Sequence, residues 1–174
     1  MKRTIMIFPE FENMSVIDSI REKYDPLAHH IKPHITLVFT FESDLRPEEL
    51  RTHLVNSLSD IEIFELSMFK IVKIDNQLGK FLFLLLDKGV DQVKKISSKL
   101  YTGILEDHKP VWLNEETYLP HMTLGSFSSK DELESAYSEA MTYDALFKTV
   151  VKKVSVEIID ENEDSIVDIE VALI

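Results

Sequence analysis

The chain has 174 residues, 44% apolar and 29% charged, the balance of a folded globular protein rather than a disordered or coiled-coil one. Its 31 acidic residues against 19 basic ones give a formal charge of −12, which opposes an extended nucleic-acid footprint. The absence of cysteine excludes disulfides, thiolate zinc sites and a cysteine nucleophile together.

At the start, TIMIF reads as a strand, and MKRTIMIFPEF turns acidic before a signal-peptide core can form. Val16, Ile17, Ile20 and Tyr24 then fall at helical spacing. PHITLVF at 33–39 is extended, so alternation puts His34 and Thr36 on one face and Ile35, Leu37, Phe39 and Phe41 on the core face. Pro47, suited to a first helical turn, opens a helix carrying Leu50, Leu54, Val55 and Leu58. Two strand-like runs follow, ELSMFKIVKI and FLFLLL, joined by DNQLGK. FLFLLL is the longest apolar run and far too short to span a bilayer, so the expected location is the cytoplasm and no membrane partner is expected.

Val90, Val93, Ile96, Leu100 and Ile104 predict a third helix. YLPHMTLGSF at 118–127 is again extended, with His121 and Thr123 on one face and Met122 and Leu124 on the other. Phe127 shares the parity of His121, which makes it a better base-stacking candidate than the core-face Phe39; Tyr118 and Trp112 are further candidates. A fourth helix begins at a capping box of Ser129 and Glu132 and carries Leu133, Ala136, Tyr137, Ala140 and Met141. VVKKVSVEII and IVDIEVALI, joined by DENEDS, close the chain as a second strand pair.

PHITLVF and PHMTLGSF are copies 87 residues apart, and the elements around each copy match in kind. The order predicts an α+β fold: one bilobal domain over 1–174 with an internal repeat at about 1–80 and 81–174. Its antiparallel-rich sheets share material, and a pseudo-twofold axis relates the lobes across a central cleft. A cleft between similar lobes is the default binding site.

One H-x-T in a strand says little, since a buried histidine satisfied by a neighbouring hydroxyl is common. Two copies brought to one cleft say more. A neutral imidazole can take a proton from an attacking water or hydroxyl while a protonated one gives a proton to the leaving oxygen. The two hydroxyls can donate to the non-bridging oxygens of a phosphodiester, a scheme that needs no metal and no cofactor.

On these residues the chain resembles the two-histidine (2H) phosphoesterase superfamily, which includes bacterial 2'-5' RNA ligases and cyclic phosphodiesterases. The copies are His34-Ile35-Thr36-Leu37 and His121-Met122-Thr123-Leu124. The resemblance implies that His34 and His121 are the catalytic acid and base and that Thr36 and Thr123 hold the phosphate. The reaction it implies is hydrolysis of a 2',3'-cyclic phosphate on a small nucleotide or RNA end, with 2'-5' ligation as the reverse chemistry. A protein of another class, using the same pocket to bind a nucleotide or RNA end without turnover, would tolerate other donors in place of the paired histidines.

Other motifs are missing. The four glycines form neither a dinucleotide nor a P-loop pattern, and G-x-S-x-G and H-E-x-x-H are absent. His29, His30, His53 and His108 are not repeated and read as surface or loop residues; Lys32, Lys70, Lys73, Lys152 and Lys153 are candidate phosphate cations.

Overall fold

The computed structural model describes residues 1–174 as two four-stranded antiparallel sheets with helices on their outer sides. In chain order the elements are β1 (Lys2–Ile7), α1 (Met14–Tyr24), β2 (Ile35–Glu42), α2 (Pro47–Ser57), β3 (Phe64–Asn76) and β4 (Gly79–Lys88). There follow α3 (Val90–Leu100), β5 (His121–Phe127), α4 (Lys130–Ala140), β6 (Phe147–Val151), β7 (Lys153–Ile159) and β8 (Ser165–Ala172). No helix is long and apolar enough to cross a membrane.

Sheet order is β2-β1-β7-β8 in one lobe and β5-β4-β3-β6 in the other, so each sheet takes strands from both halves of the chain. The helices cross over too: α2 and α3 pack on the first sheet, while α1 and α4 pack on the second. Both histidine strands are edges, and these edges meet along the seam between lobes.

Local chemistry explains the element ends. Pro47 starts α2, where its missing N–H costs nothing, and Ser129 caps α4, accepting from the Glu132 N–H at 3.2 Å while Glu132 accepts from the Ser129 N–H at 3.1 Å. The third helix stops at Leu100, short of Ile104: Gly103 turns to a positive φ of 53°, a 3-10 turn spans Gly103–His108, and Ile104 is exposed. VVKKVSVEII is two strands rather than one. It breaks at Lys152, whose carbonyl accepts from the Leu173 N–H, so β6 joins one sheet and β7 the other.

Both histidine strands carry a bulge that sequence parity missed. In β2, Thr36 pairs with Met6 and Val38 with Ile5, leaving Leu37 as an extra residue. In β5, Thr123 pairs with Phe83 and Gly125 with Leu82, leaving Leu124 extra at the equivalent place. Two consecutive residues in each strand, Leu37–Val38 and Leu124–Gly125, therefore face the core, and the residues just beyond them change side; in β2 a second register shift between Val38 and Phe41 returns Phe41 to the core.

Candidate functional site

His34 stands one residue before β2 and His121 opens β5, each following a proline that keeps the approach extended. The two rings are held alike. His34 Nδ1 lies 2.8 Å from the Lys32 carbonyl and His121 Nδ1 lies 2.7 Å from the Leu119 carbonyl, two residues upstream in both cases. A carbonyl only accepts, so Nδ1 must donate; in the neutral ring this leaves Nε2 with a free lone pair.

Both rings are half-buried, and burial governs their protonation. Desolvation pushes the His34 pKa down to about 4, against the opposing pull of the Lys32 carbonyl; Arg21 and His121 lower it further, and Asp25 raises it. Burial also lowers the pKa of His121, opposed by the Leu119 carbonyl.

Around them the two lobes differ. Phe83 stacks on His121 at 3.6 Å between centroids and 16° between planes, and Phe81 stacks on Phe83 at 5.5 Å. Beside His34 the nearest ring, Phe8, is tilted at 6.1 Å. Arg21, on α1, is only 3% exposed and pairs with Asp25 at 2.8 Å. It belongs to the same helix face as Ile17 and Ile20, so a charged residue continuing an apolar stripe was the available sequence signal for it.

His34 and Thr36 line a cavity of about 220 Å³ together with Lys2, Thr4, Met6 and Phe39. His121 and Thr123 lie across the seam on the facing edge strand and do not line that cavity. A larger cavity of about 600 Å³ abuts the loop leading to His34 and contains none of the four motif residues. Side chains from the second half of the chain satisfy the free edge of β2: Tyr118 donates to the Thr36 carbonyl (2.6 Å), Ser97 donates to the Leu37 carbonyl (2.7 Å), and the Tyr101 hydroxyl accepts from the Phe39 N–H (2.8 Å). An edge strand can thus be buried at the seam without leaving those backbone groups unpaired.

Several expectations need correction. The bulge in β2 turns Phe39 out of the core face and onto the wall of the His34 cavity, and its ring also packs edge-on against Trp112 and Tyr118, which do not line that cavity. The bulge in β5 carries Phe127 the other way, against Tyr24 of α1. Tyr118 is 6% exposed and serves as a tie rather than a stacking face. Lys73 pairs with Glu134 and Lys153 with Glu170, so these lysines are engaged elsewhere; Lys2, not among the predicted cations, lines the His34 cavity. Of the other histidines, His30 meets Asp164 and His53 the Leu100 carbonyl, structural contacts away from the motif pair. No group of three or more His, Cys, Asp or Glu is placed to hold a metal.

Comparison with known proteins converges on one family. A model described as the 2'-5' RNA ligase superfamily matches residues 8–163. A Bacillus licheniformis protein that is a phosphoesterase by name is 26% identical over 157 residues, 88% of this chain and 87% of its own. A Geobacillus kaustophilus protein, likewise a phosphoesterase by name, is 27% identical over 88% of this chain and 85% of its own. Among solved structures, Escherichia coli LigT complexed with 3'-AMP superposes with a TM-score of 0.64 at 13% identity, covering 99% of this chain and 97% of that one. The Thermus thermophilus protein TT0787 gives 0.62 at 14% identity, covering 99% and 98%. These two likenesses establish a shared fold.

Proposed function

Because the chain belongs to the 2'-5' RNA ligase superfamily, we propose that it is a phosphoesterase that hydrolyses a cyclic phosphodiester, a 2',3'-cyclic phosphate on a nucleotide or RNA end. The observation that supports this reading is the duplicated histidine geometry, in which each ring donates from Nδ1 to a carbonyl and leaves Nε2 without that bond, at the starts of two edge strands that touch across the seam. One imidazole takes a proton from water as its oxygen attacks phosphorus; the other, protonated, gives a proton to the departing ribose oxygen as its bond to phosphorus breaks. Thr36 and Thr123 donate to the non-bridging oxygens and hold phosphorus in line. Replacing water by a 5'-hydroxyl makes the same steps a ligation.

In the free protein both histidines favour the neutral form, since burial lowers both. An anionic phosphodiester reverses this for one of them, because a nearby opposite charge stabilises the imidazolium. Substrate binding therefore loads the general acid. The 3'-AMP held by the E. coli relative of the same fold is a product of this type of hydrolysis, which supports a small nucleotide as substrate.

The test is hydrolysis of 2',3'-cyclic mononucleotides and of a short RNA with a 2',3'-cyclic end, in EDTA, by the parent protein and by His34→Ala and His121→Ala. Turnover in EDTA should fall by about 10²- to 10⁴-fold in each variant. Nucleotide binding without turnover in the parent protein would instead favour a binding protein, and activity retained by either variant would remove that histidine from the mechanism.

A further inference from the structure

Trp112 is the one tryptophan of the chain, and its placement is not that of a core residue. It is 49% exposed and lies edge-on to Phe39, with centroids 5.1 Å apart and planes at 69°. Phe39 in turn lines the cavity of His34 and Thr36, so the indole stands one ring away from that cavity, against the residue that walls it.

The segment that presents the indole is locked. Leu113 and Tyr118 are buried and anchor it, and Tyr118 is tied to the Thr36 carbonyl. Between them Asn114 Oδ1 accepts from the Glu116 and Thr117 N–H groups, and the Thr117 hydroxyl donates to the Trp112 carbonyl. An aromatic face held rigid before a ligand arrives loses little conformational freedom on binding one.

Phe8 beside His34 opens onto the larger cavity that lacks the motif residues, and most other aromatic groups near the histidines are engaged. Phe83 is stacked between His121 and Phe81, Tyr118 and Tyr101 are buried in hydrogen bonds to β2, and Phe127 packs on Tyr24. Trp112, backed by Phe39, remains as the half-exposed π-face. Stacking a base on it requires no basic groove, which suits a chain of net charge −12.

We propose that Trp112 and Phe39 form a nucleobase platform for this cleft, so that the favoured substrate is a cyclic phosphodiester carrying a base within stacking reach of its phosphate. This rests on the phosphoesterase reading above and narrows its substrate class: a base-free cyclic phosphate is a poor substrate.

Two measurements test it. The first compares kcat/KM for 2',3'-cyclic AMP with that for methyl riboside 2',3'-cyclic phosphate, which lacks a base. The parent protein should favour the nucleotide by about 5- to 150-fold, the range of base–aromatic stacking; Trp112→Ala should collapse that ratio and Trp112→Phe should restore much of it. A ratio that Trp112→Ala leaves intact overturns the platform. The second follows the single tryptophan's fluorescence during titration with 3'-AMP, which requires no turnover. Saturable quenching supports the platform even if no cyclic phosphate is hydrolysed, in which case the catalytic reading alone fails. Hydrolysis of the nucleotide with no quenching at saturating 3'-AMP overturns the platform and leaves the catalytic reading standing.

Discussion

His34 and His121 make the same Nδ1–H bond to a carbonyl two residues upstream, yet charges surround the first and rings the second. Since burial lowers both pKa values, the singly protonated pair that the mechanism needs is most populated in the free protein below pH 6.5. The profile of kcat/KM, which reports the free enzyme, should therefore peak on the acid side of 6.5, and that of kcat should peak at higher pH because bound phosphate raises the acid's pKa. A kcat/KM maximum above about pH 7.5 would contradict this assignment. Phe83→Leu removes the ring stacked on His121 and admits water, so the kcat/KM profile should move toward higher pH while kcat falls. The same depressed pKa has a consequence for stability. In the unfolded chain His34 takes up a proton near pH 6.5, whereas in the folded protein it does so only near about 4. Between these values acid favours the unfolded state, so stability falls as pH drops through the window. Urea midpoints at about pH 7 and about pH 5 should show this, and His34→Asn should reduce the difference.

At the scale of elements, the paired bulges decide which face of each histidine strand carries what. Each turns two successive residues inward, and in β5 the second of them is Gly125 where β2 has Val38. A Cβ on Gly125 would come 2.9 Å from Tyr24 Cβ, a position close to the α1 backbone that cannot swing aside. Gly125→Ala should accordingly push α1 off β5 and destabilise the protein by about 1–3 kcal/mol, the usual cost of overpacking, seen as a lower urea midpoint at unchanged slope. An unchanged midpoint would mean that α1 yields freely. The four helices, the first strand pair and the repeated H-x-T were legible in the sequence because spacing, Pro47 and the Ser129–Glu132 box act locally, whereas the division of VVKKVSVEII between two sheets is set by its partners. Alternation also placed His34 with Thr36 and His121 with Thr123 correctly, since both pairs precede the extra residue. Beyond it the same rule misplaced Phe39 and Phe127, because a bulge is settled by pairing with β1 and β4 and leaves no periodic mark. Arg21 escaped notice for a related reason: its pairing with Asp25 and its influence on His34 depend on the packing of α1 at the seam.

For the molecule as a whole, the repeat in sequence does not coincide with the lobes in space. The sheet holding β1 and β2 is completed by β7 and β8, and β3 lies between β4 and β6 in the other sheet. Helix α1 leaves the first sheet to pack on β5, while α3 leaves the second to pack on β2. Either half alone would expose unpaired strand edges and apolar helix faces with nothing to bury them. We therefore expect residues 1–78 and residues 79–174, expressed separately, to lack dispersed amide spectra, and the intact chain to unfold in one transition with coincident midpoints by circular dichroism and tryptophan fluorescence. A folded 1–78 fragment would show that β1, β2 and the β3 segment suffice without their partners. The interlock bears on catalysis because each half brings one histidine to the seam. The Thr36 backbone is held by Tyr118 from the other half, so loosening one lobe displaces the proposed phosphate donor of its neighbour. Tyr118→Phe removes that tie while keeping the ring. It should cost about 1 kcal/mol of stability for one lost hydrogen bond, together with a fall in kcat for cyclic nucleotide hydrolysis. Loss of stability with kcat unchanged would confine Tyr118 to holding the lobes together.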